Sequence, residues 1–201
     1  MSQQPNDEGY TDAVIAISRP LLQASEGNAF ILFTSHRALN RAASLMKNDA
    51  EFHILVQGTA AKRELLKEFK TRKRRVLLGT QRFWEGVDVK GDGLCLVIID
   101  KLPFMSQSDP LIQARTRALE EAGENPFTSF QIPQAILNLK QGVGRLIRGE
   151  RDRGVVVLMD PRVKTKGYGK SFVSSLPAMT MCEQYGPVID FLETIQRERM
   201  R

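Results

Sequence analysis

Short, uninterrupted apolar runs recur along the chain, and polar or mixed segments separate them. The runs occupy positions 29–33, 52–56, 76–78, 94–99 and 155–159. A continuous apolar run of this kind is typical of a strand buried on both faces, as the strands of parallel sheets are. We therefore predict five strands at the centre of the fold.

The segments between these runs carry apolar residues at helical spacing. This spacing predicts helices over about 36–47, 60–70 and 186–198, a weaker helix near 168–175, and two more that begin at Asp109-Pro110 and at Ile132-Pro133, the last reaching about Ile147. Ser35 and Asp109 suit the cap position before a helix, and proline suits the first turn. Strands that alternate with helices predict an α/β fold, with helices on both faces of a parallel sheet.

The first 25 residues follow a different pattern. Residues 1–8 are polar and without a period, so we expect them to be disordered. Apolar residues from Tyr10 to Ser25 have helical spacing, but Pro20 interrupts them, which predicts a short helix that is kinked or split. We expect a tail and helix over 1–25 and the main domain over 26–201.

Loops at the carboxyl ends of parallel strands usually carry the chemistry of such folds. In this chain those loops contain Thr34-Ser35-His36-Arg37, Gln57-Gly58, Gly79-Thr80 and Asp160-Pro161. Hydroxyl groups and backbone N–H groups at these positions could hold phosphates without reading a base sequence.

Composition and charge narrow the class of protein. The chain has 201 residues, of which 42% are hydrophobic and 26% charged, as in one globular domain. It contains no apolar run long enough to span a membrane, so we expect no membrane partner. With two cysteines and two histidines we expect no metal site in this chain and, by default, a cytoplasmic location.

The net charge of +6 favours a polyanionic partner. The basic run at 72–75 is either a solvated face or a contact to a DNA backbone. The lysines Lys164, Lys166 and Lys170 form either a second basic patch or an ordinary surface loop.

The stretch 141–148 carries the most specific signal. Two arginines, Arg145 and Arg148, follow Gly142 and Gly144 at the end of an apolar-periodic segment. On a helix, a spacing of three residues puts both guanidinium groups on one face, and these planar cations suit phosphate oxygens. Each glycine costs about 1 kcal/mol inside a helix, so we expect a packing or functional reason for it.

The chain lacks a phosphate-binding loop of its own. The sequence at 58–62 has the lysine but not the second glycine of such a loop, and we find no acidic pair after a strand of the kind that holds Mg²⁺. Phosphate-binding arginines without such a loop suggest half of a site, completed by another domain.

Several segments, in order, resemble helicase motifs. Residues 30–35 resemble motif IV, 57–69 the segment after it, 79–88 motif V, and 141–148 motif VI. The order and spacing of these segments resemble those of the motifs in the second RecA-like lobe of superfamily 2 helicases. The details Phe83-Trp84-Glu85-Gly86-Val87-Asp88 and Asp100-Lys101-Leu102-Pro103-Phe104 are similar to the DinG/YoaA branch, bacterial relatives of the XPD helicases.

This resemblance implies roles at the nucleotide. Arg145 and Arg148 match arginines that reach the ATP phosphates from across a cleft, and Arg148 matches the arginine finger, which contacts the transferred phosphoryl group. Gln141 matches the residue that couples this site to the rest of the motor. Glu85, Gly86 and Asp88 match motif V groups near the nucleotide.

The resemblance also implies contacts to nucleic acid. The expected DNA-binding residues are Thr34, Ser35, His36, Arg37, Gln57, Gly58 and Thr80. The implied activity is that of an ATP-dependent helicase that moves 5′ to 3′ on single-stranded DNA, in repair or replication stress.

The resemblance implies partners as well. ATP and Mg²⁺ would be bound mainly by an N-terminal lobe that is missing from this sequence, and an iron–sulfur cluster could lie only in that lobe. We expect the chain to be a fragment without significant ATPase activity of its own. Its expected partners are single-stranded DNA, that N-terminal lobe and, by likeness to YoaA-type proteins, a replication clamp-loader subunit.

Alternatives stay open at this point. The chain could instead be a docking module for nucleic acid or protein without motor activity, or belong to an RNA helicase. Phe83 and Trp84 could stack on a base or pack in the core, and the apolar loop at 126–133 could be core or face another lobe. We expect His36 to form a hydrogen bond at a helix start and His53 to be structural.

Overall fold

The computed structural model describes residues 3–80, 83, 94–144, 146 and 153–199. Five strands in this part of the chain form one sheet. They are β1 (Ala29–Phe33), β2 (His53–Val56), β3 (Arg75–Thr80), β4 (Leu96–Ile99) and β5 (Val155–Leu158). All five predicted strands are thus confirmed: β1 has the predicted ends, and the ends of the others differ by at most two residues.

Helices alternate with these strands. They are α1 (Tyr10–Ala24), α2 (His36–Leu45), α3 (Lys62–Thr71), α4 (Pro110–Glu121), α5 (Ile132–Val143), α6 (Arg162–Thr165), α7 (Gly169–Ser175) and α8 (Tyr185–Arg199), and a π-helical turn at Phe127–Gln131 precedes α5. The predicted caps are confirmed, because Ser35 accepts a hydrogen bond from the Ala38 N–H and Asp109 accepts one from the Leu111 N–H.

The sheet has the strand order β2-β3-β1-β4-β5, and each neighbouring pair is parallel. The strand β1 therefore lies in the centre, with β3 on one side and β4 on the other. Since the strands are parallel, their carboxyl ends share one edge of the sheet. The predicted α/β fold with a parallel sheet is confirmed.

Alternate residues of each strand point to opposite faces and join two separate cores. Ile31 and Phe33 of β1 pack in a core with residues from α1, α2 and α8. Phe30 and Leu32 pack in the other core with residues from α3, α5 and α7. The helices thus cover both faces, which explains why the strands read as continuous apolar runs.

Helix α1, which was predicted to be kinked or split, is not split. It is assigned as one α-helix of 15 residues, with Pro20 inside it. Proline removes a backbone donor, but Val14, Leu21 and Leu22 are buried in the first core, and such packing outweighs the local preference. Residues 3–9 form turns before it. The division at residue 25 stays a prediction, and α1 shares the core of the main domain.

Two further features differ from the sequence prediction. The apolar loop at 126–133 contains the π-helical turn, whose Phe127 ring stacks on that of Phe104 with centroids 5.8 Å apart. Helix α5 ends at Val143, so the prediction that it reaches Ile147 is wrong. Gly144 ends this helix, because glycine is a poor helix former.

Candidate functional site at the carboxyl edge of the sheet

The seven predicted DNA-binding residues lie at the carboxyl ends of three adjacent strands. Gln57 and Gly58 follow β2, Thr80 ends β3, and 34–37 follow β1. The sheet order puts these strands side by side, and Phe33 is the register partner of Thr80. Residues that are far apart in sequence therefore share one half of this edge, which we call the β2–β3–β1 half.

The turn from β1 into α2 is the most open part of this half. Thr34, Ser35, His36 and Arg37 are all exposed. The Ser35 hydroxyl oxygen accepts a hydrogen bond from the Ala38 N–H at 3.2 Å. The first N–H groups of α2 belong to His36 and Arg37. A helix start with exposed N–H groups and a nearby cation is a favourable site for an anion such as a phosphate.

Gln57 connects the ends of β2 and β3. Its Oε1 accepts hydrogen bonds from the Thr80 N–H at 2.6 Å and from the Thr80 hydroxyl at 3.0 Å. Thr80 is only 6% exposed, so its hydroxyl serves this internal link. Gly58 is exposed and adopts a φ of 93°, which favours glycine. The role of Thr80 and Gln57 in DNA binding stays a prediction.

The other half of the edge, formed by the ends of β4 and β5, is built differently. Asp100 directly follows β4 and is 1% exposed. Its Oδ1 accepts the Thr34 N–H at 3.0 Å, and its own N–H donates to the Leu32 carbonyl at 2.9 Å. Asp100 thereby extends the pairing of β1 with β4 beyond the last residue of each strand.

Asp160 lies two residues after the end of β5. It accepts the Leu102 N–H at 2.8 Å and the Arg162 N–H at 2.9 Å, and it also binds the Arg162 guanidinium. The Tyr10 hydroxyl donates to the carbonyls of Asp100 and Met159, at 2.8 and 3.2 Å. This network ties α1 to the β4–β5 half of the edge.

Burial changes the acidity of this network. It raises the pKa of the Asp100 carboxyl from 3.8 to about 7, and the Asp160 carboxylate adds to this. Lys101 and the Thr34 N–H act in the opposite direction. Burial, followed by the Asp160 and Asp100 carboxylates, also moves the pKa of Tyr10 well above its usual value. Tyr10 therefore stays a neutral donor at physiological pH.

The predicted nucleotide-binding residues are only partly described. Gln141 is exposed on α5, close to the end of that helix. Arg145, Arg148, Glu85, Gly86 and Asp88 lie outside the described residues, so their predicted roles stay predictions.

The two glycines of motif VI differ in their surroundings. A Cβ added at Gly142 would meet Ile99 and Leu32 at 3.8 Å, which is an ordinary contact, so packing does not require glycine there. A Cβ at Gly144 would come within 3.2 Å of the Lys140 carbonyl oxygen, which is tight.

The basic run at 72–75 lies at the opposite, amino edge of the sheet, just before and at the start of β3. Arg74 pairs with Glu51 at 2.5 Å, and Arg72 pairs with Glu68 at 3.3 Å. The run is therefore separate from the predicted DNA-binding edge. This favours the interpretation as a solvated, internally paired surface.

The structure also indicates the roles of Phe83 and His53. Phe83 is buried, with Lys62 Nζ 5.4 Å from its ring centroid, so it packs in the core, while Trp84 lies outside the described residues. His53 Nε2 lies 2.8 Å from Glu68 Oε1, which fits the expected structural role.

The described residues show neither a metal-ligand cluster nor a membrane-spanning helix. They contain no group of three or more His, Cys, Asp or Glu residues that could hold a metal ion. Asp100 and Asp160 already accept backbone N–H groups, so this part of the chain does not fit a Mg²⁺ site. No helix in the described ranges is long and apolar enough to cross a bilayer.

Sequence reasoning missed the network of Tyr10, Asp100 and Asp160. Its signal was an aspartate placed at the end of each of two apolar runs, at positions 100 and 160. Aspartates at neighbouring strand ends need not hold Mg²⁺, because their carboxylates can instead accept backbone N–H groups of nearby loops.

Comparisons with known proteins find helicases as the relatives of this chain. A family model described as the helicase C-terminal domain matches residues 19–179. The ATP-dependent DNA helicase YoaA of Haemophilus influenzae is 44% identical over 174 residues, which cover 87% of this chain and 27% of that protein. The ATP-dependent helicase DinG of Mycobacterium tuberculosis is 40% identical over 157 residues, which cover 78% of this chain and 24% of that protein.

A solved XPD helicase has a similar fold. It matches with a TM-score of 0.67 and 18% identity, over 90% of this chain and 33% of that one. At this identity the likeness concerns the fold alone, and the expected RecA-like architecture is confirmed. The chain spans less than a third of the length of the curated relatives it matches.

Proposed function

Because the chain belongs to the helicase C-terminal domain family, as a lobe of the DinG/YoaA type, we propose that it is the C-terminal motor lobe of an ATP-dependent DNA helicase. In this role it binds part of a DNA strand and supplies residues to an ATP held mainly by another lobe. The relatives named as DNA helicases support this proposal.

The observation that carries the proposal is the clustering of the predicted DNA-binding residues on the β2–β3–β1 half of the edge. Thr34, His36 and Arg37 surround the start of α2, and Gln57 and Gly58 lie two strands away in the same sheet. Hydroxyls, N–H groups and one arginine form a row that suits a phosphate backbone and does not read bases. A strand held without sequence preference is what translocation requires.

The proposed role at the nucleotide rests on motif VI. Arg145 and Arg148 approach the ATP phosphates, with Arg148 as the finger, and Gln141 couples this contact to the DNA-binding edge. Glu85, Gly86 and Asp88 of motif V lie near the nucleotide in this proposal. A finger arginine stabilises charge on the transferred phosphoryl group and contributes about 10³–10⁵ in rate in enzymes that use one. Supplying it from a second lobe makes hydrolysis depend on closure of the two lobes.

The finer parts of the proposal concern the whole protein. The N-terminal lobe binds most of the ATP and Mg²⁺, and any iron–sulfur cluster belongs to that lobe. The parent helicase moves 5′ to 3′ in the cytoplasm, in repair or replication-stress tolerance, with a clamp-loader subunit as a partner. The isolated chain has no significant ATPase activity.

The test is an ATPase assay on a protein in which this chain follows an N-terminal helicase lobe. We expect single-stranded DNA to stimulate hydrolysis and Arg148→Ala to lower the stimulated rate by at least about a thousandfold, because the finger is lost. Hydrolysis that is indifferent to Arg148 would support a docking module instead. Stronger stimulation by RNA than by DNA strands would point to an RNA helicase.

A further inference from the structure

Asp100 connects the two halves of the carboxyl edge. It belongs to the β4–β5 half by position, yet its Oδ1 accepts the N–H of Thr34, which begins the turn into α2. The two residues are 66 positions apart in sequence. The turn after β1 is therefore held from the neighbouring strand rather than only by its own residues.

This hydrogen bond determines which groups of the turn are left for a ligand. The Thr34 N–H points to Asp100 and is not available to a phosphate. The Thr34 side chain and the start of α2 remain on the exposed side. Fixing the N–H of Thr34 thus also fixes the direction in which its hydroxyl and the first N–H groups of α2 are presented.

Asp100 is a costly way to stabilise a strand end. The carboxyl is almost completely buried, and Oδ2 finds no hydrogen-bond partner among the residues that the structure describes. Burial of a carboxylate with an unsatisfied oxygen opposes folding, so the residue contributes less to stability than an ordinary cap would. This observation points to a role other than stability.

We propose that Asp100 is a positioning residue for nucleic-acid binding: by holding the Thr34 N–H, it sets the geometry of the turn that contacts the phosphate backbone. The inference rests on the proposed function, because it concerns the same β2–β3–β1 half. Asp100 acts through Thr34 and the start of α2 and does not itself touch the strand.

The surroundings of Asp100 hold it in place from several elements. The Tyr10 hydroxyl of α1 donates to the Asp100 carbonyl, and Lys101 Nζ lies 5.0 Å from the Tyr10 ring centroid. Asp160, which is paired with Arg162, is the other carboxylate that acts on Asp100. These contacts fix the backbone at Asp100, and the hydrogen bond from the Thr34 N–H holds its side chain.

The test compares variants of the chain for binding to a fluorescent oligothymidylate, at a temperature at which urea titration shows each variant folded. We expect Asp100→Ala to weaken binding about tenfold, the loss of roughly one well-placed contact, and Asp100→Asn, which keeps an acceptor at Oδ1, to stay within about twofold of the wild type. Asp100→Val is the second variant if alanine does not fold, with the same expectation.

Asp160→Asn is the matched control. The Asp160 carboxylate binds Leu102 and Arg162 rather than Thr34, so we expect this variant to bind the strand as the wild type does.

A double mutant separates positioning from general stability. Thr34→Ala removes the hydroxyl but keeps the N–H that Asp100 holds. The part of the Asp100→Ala loss that acts through this hydroxyl should therefore disappear in a Thr34→Ala background, while the part that acts through the start of α2 should remain. Hydrogen exchange of the Thr34 amide should also rise in Asp100→Ala and not in Asp160→Asn. Equal binding of all Asp100 variants, an equal loss in Asp160→Asn, or unchanged exchange of the Thr34 amide in Asp100→Ala would overturn the inference while leaving the proposed function intact. A wild-type chain that does not bind the strand would overturn the proposed DNA contact and the inference with it.

Discussion

The two halves of the carboxyl edge use their polar residues for different purposes. On the β2–β3–β1 half, polar groups of 34–37 are exposed and form a helix start. On the β4–β5 half, Asp100 and Asp160 are buried, and their oxygens accept backbone N–H groups of Thr34, Leu102 and Arg162. One half presents donors to solvent, and the other uses acceptors internally.

This difference separates binding from support. Donors that face solvent can take an anion, whereas buried carboxylates repel one and instead hold strand ends and loops together. The charges fit this division, because the exposed turn carries Arg37, whereas Asp160 on the buried half is paired with Arg162. On the β4–β5 half, Asp100 is the residue that contacts the binding half, through the Thr34 N–H, whereas Asp160 holds Leu102 and Arg162.

The largest expected effect is on the buried half. Asp160→Ala removes the acceptor of the Leu102 N–H and of the Arg162 guanidinium, and it leaves a partly buried cation unpaired. We expect a loss of about 3–5 kcal/mol in the free energy of unfolding, measured by urea titration. Thr34→Ala on the exposed half should change it by less than about 0.5 kcal/mol. Similar losses in both variants would contradict the division.

The pH dependence of stability gives a second contrast. The pKa of Asp100 is raised from 3.8 to about 7 in the folded protein. As pH rises from about 4 to 7, Asp100 ionises in the unfolded chain but not yet in the folded one, which favours unfolding. The wild type should lose up to roughly 4 kcal/mol relative to Asp100→Asn over this window. Parallel stability curves for the two proteins would show that burial does not perturb this carboxyl.

Removal of the helix cap should have a smaller effect. Ser35 accepts the Ala38 N–H at the start of α2, so Ser35→Ala should lower the free energy of unfolding by about 1 kcal/mol. Ser35→Gly should lower it by only a few tenths of a kcal/mol, because glycine is accepted at this position. A loss above about 3 kcal/mol would mean that the turn supports the fold like the buried half.

The smallest effect on stability is expected at Arg37, which is exposed. Arg37→Ala should leave the unfolding midpoint unchanged and reduce the salt dependence of binding to single-stranded DNA by about one phosphate contact. Arg74→Ala is the matched control, since Arg74 lies at the amino edge and pairs with Glu51. If Arg74→Ala reduced the salt dependence equally, the DNA strand would also contact the amino edge of the sheet, which would contradict the proposed binding surface.

Regular elements were predictable where local pattern and burial agree. The runs 29–33 and 155–159 predicted β1 and β5 because parallel strands covered on both faces need apolar residues throughout. Helix ends were less predictable. Pro20 predicted a kinked or split helix, but α1 is one helix because it packs against the first core. The apolar periodicity before Gly144 predicted a helix that ends four residues later than α5 does.

The candidate site was predictable in part. The DNA-binding residues came from likeness of short motifs, and parallel pairing then explains why 34–37, Gln57 and Thr80 share one edge. The buried network was not predictable, because its hydrogen bonds join Tyr10 to carbonyls 90 and 149 positions away. Contacts at such separations are set by topology, and the aspartates that follow the runs ending at 99 and 159 do not indicate by themselves which groups they bind.

The most direct test of the account is an NMR titration of the ¹⁵N-labelled chain with oligothymidylate. We expect amide shifts to change at 34–37 and at Gln57 and Gly58, at the exposed carboxyl ends of β1 and β2. The amides of 72–75 at the amino edge should stay unchanged. Changes confined to 72–75, with none at the start of α2, would contradict the claim that the β2–β3–β1 half binds the strand.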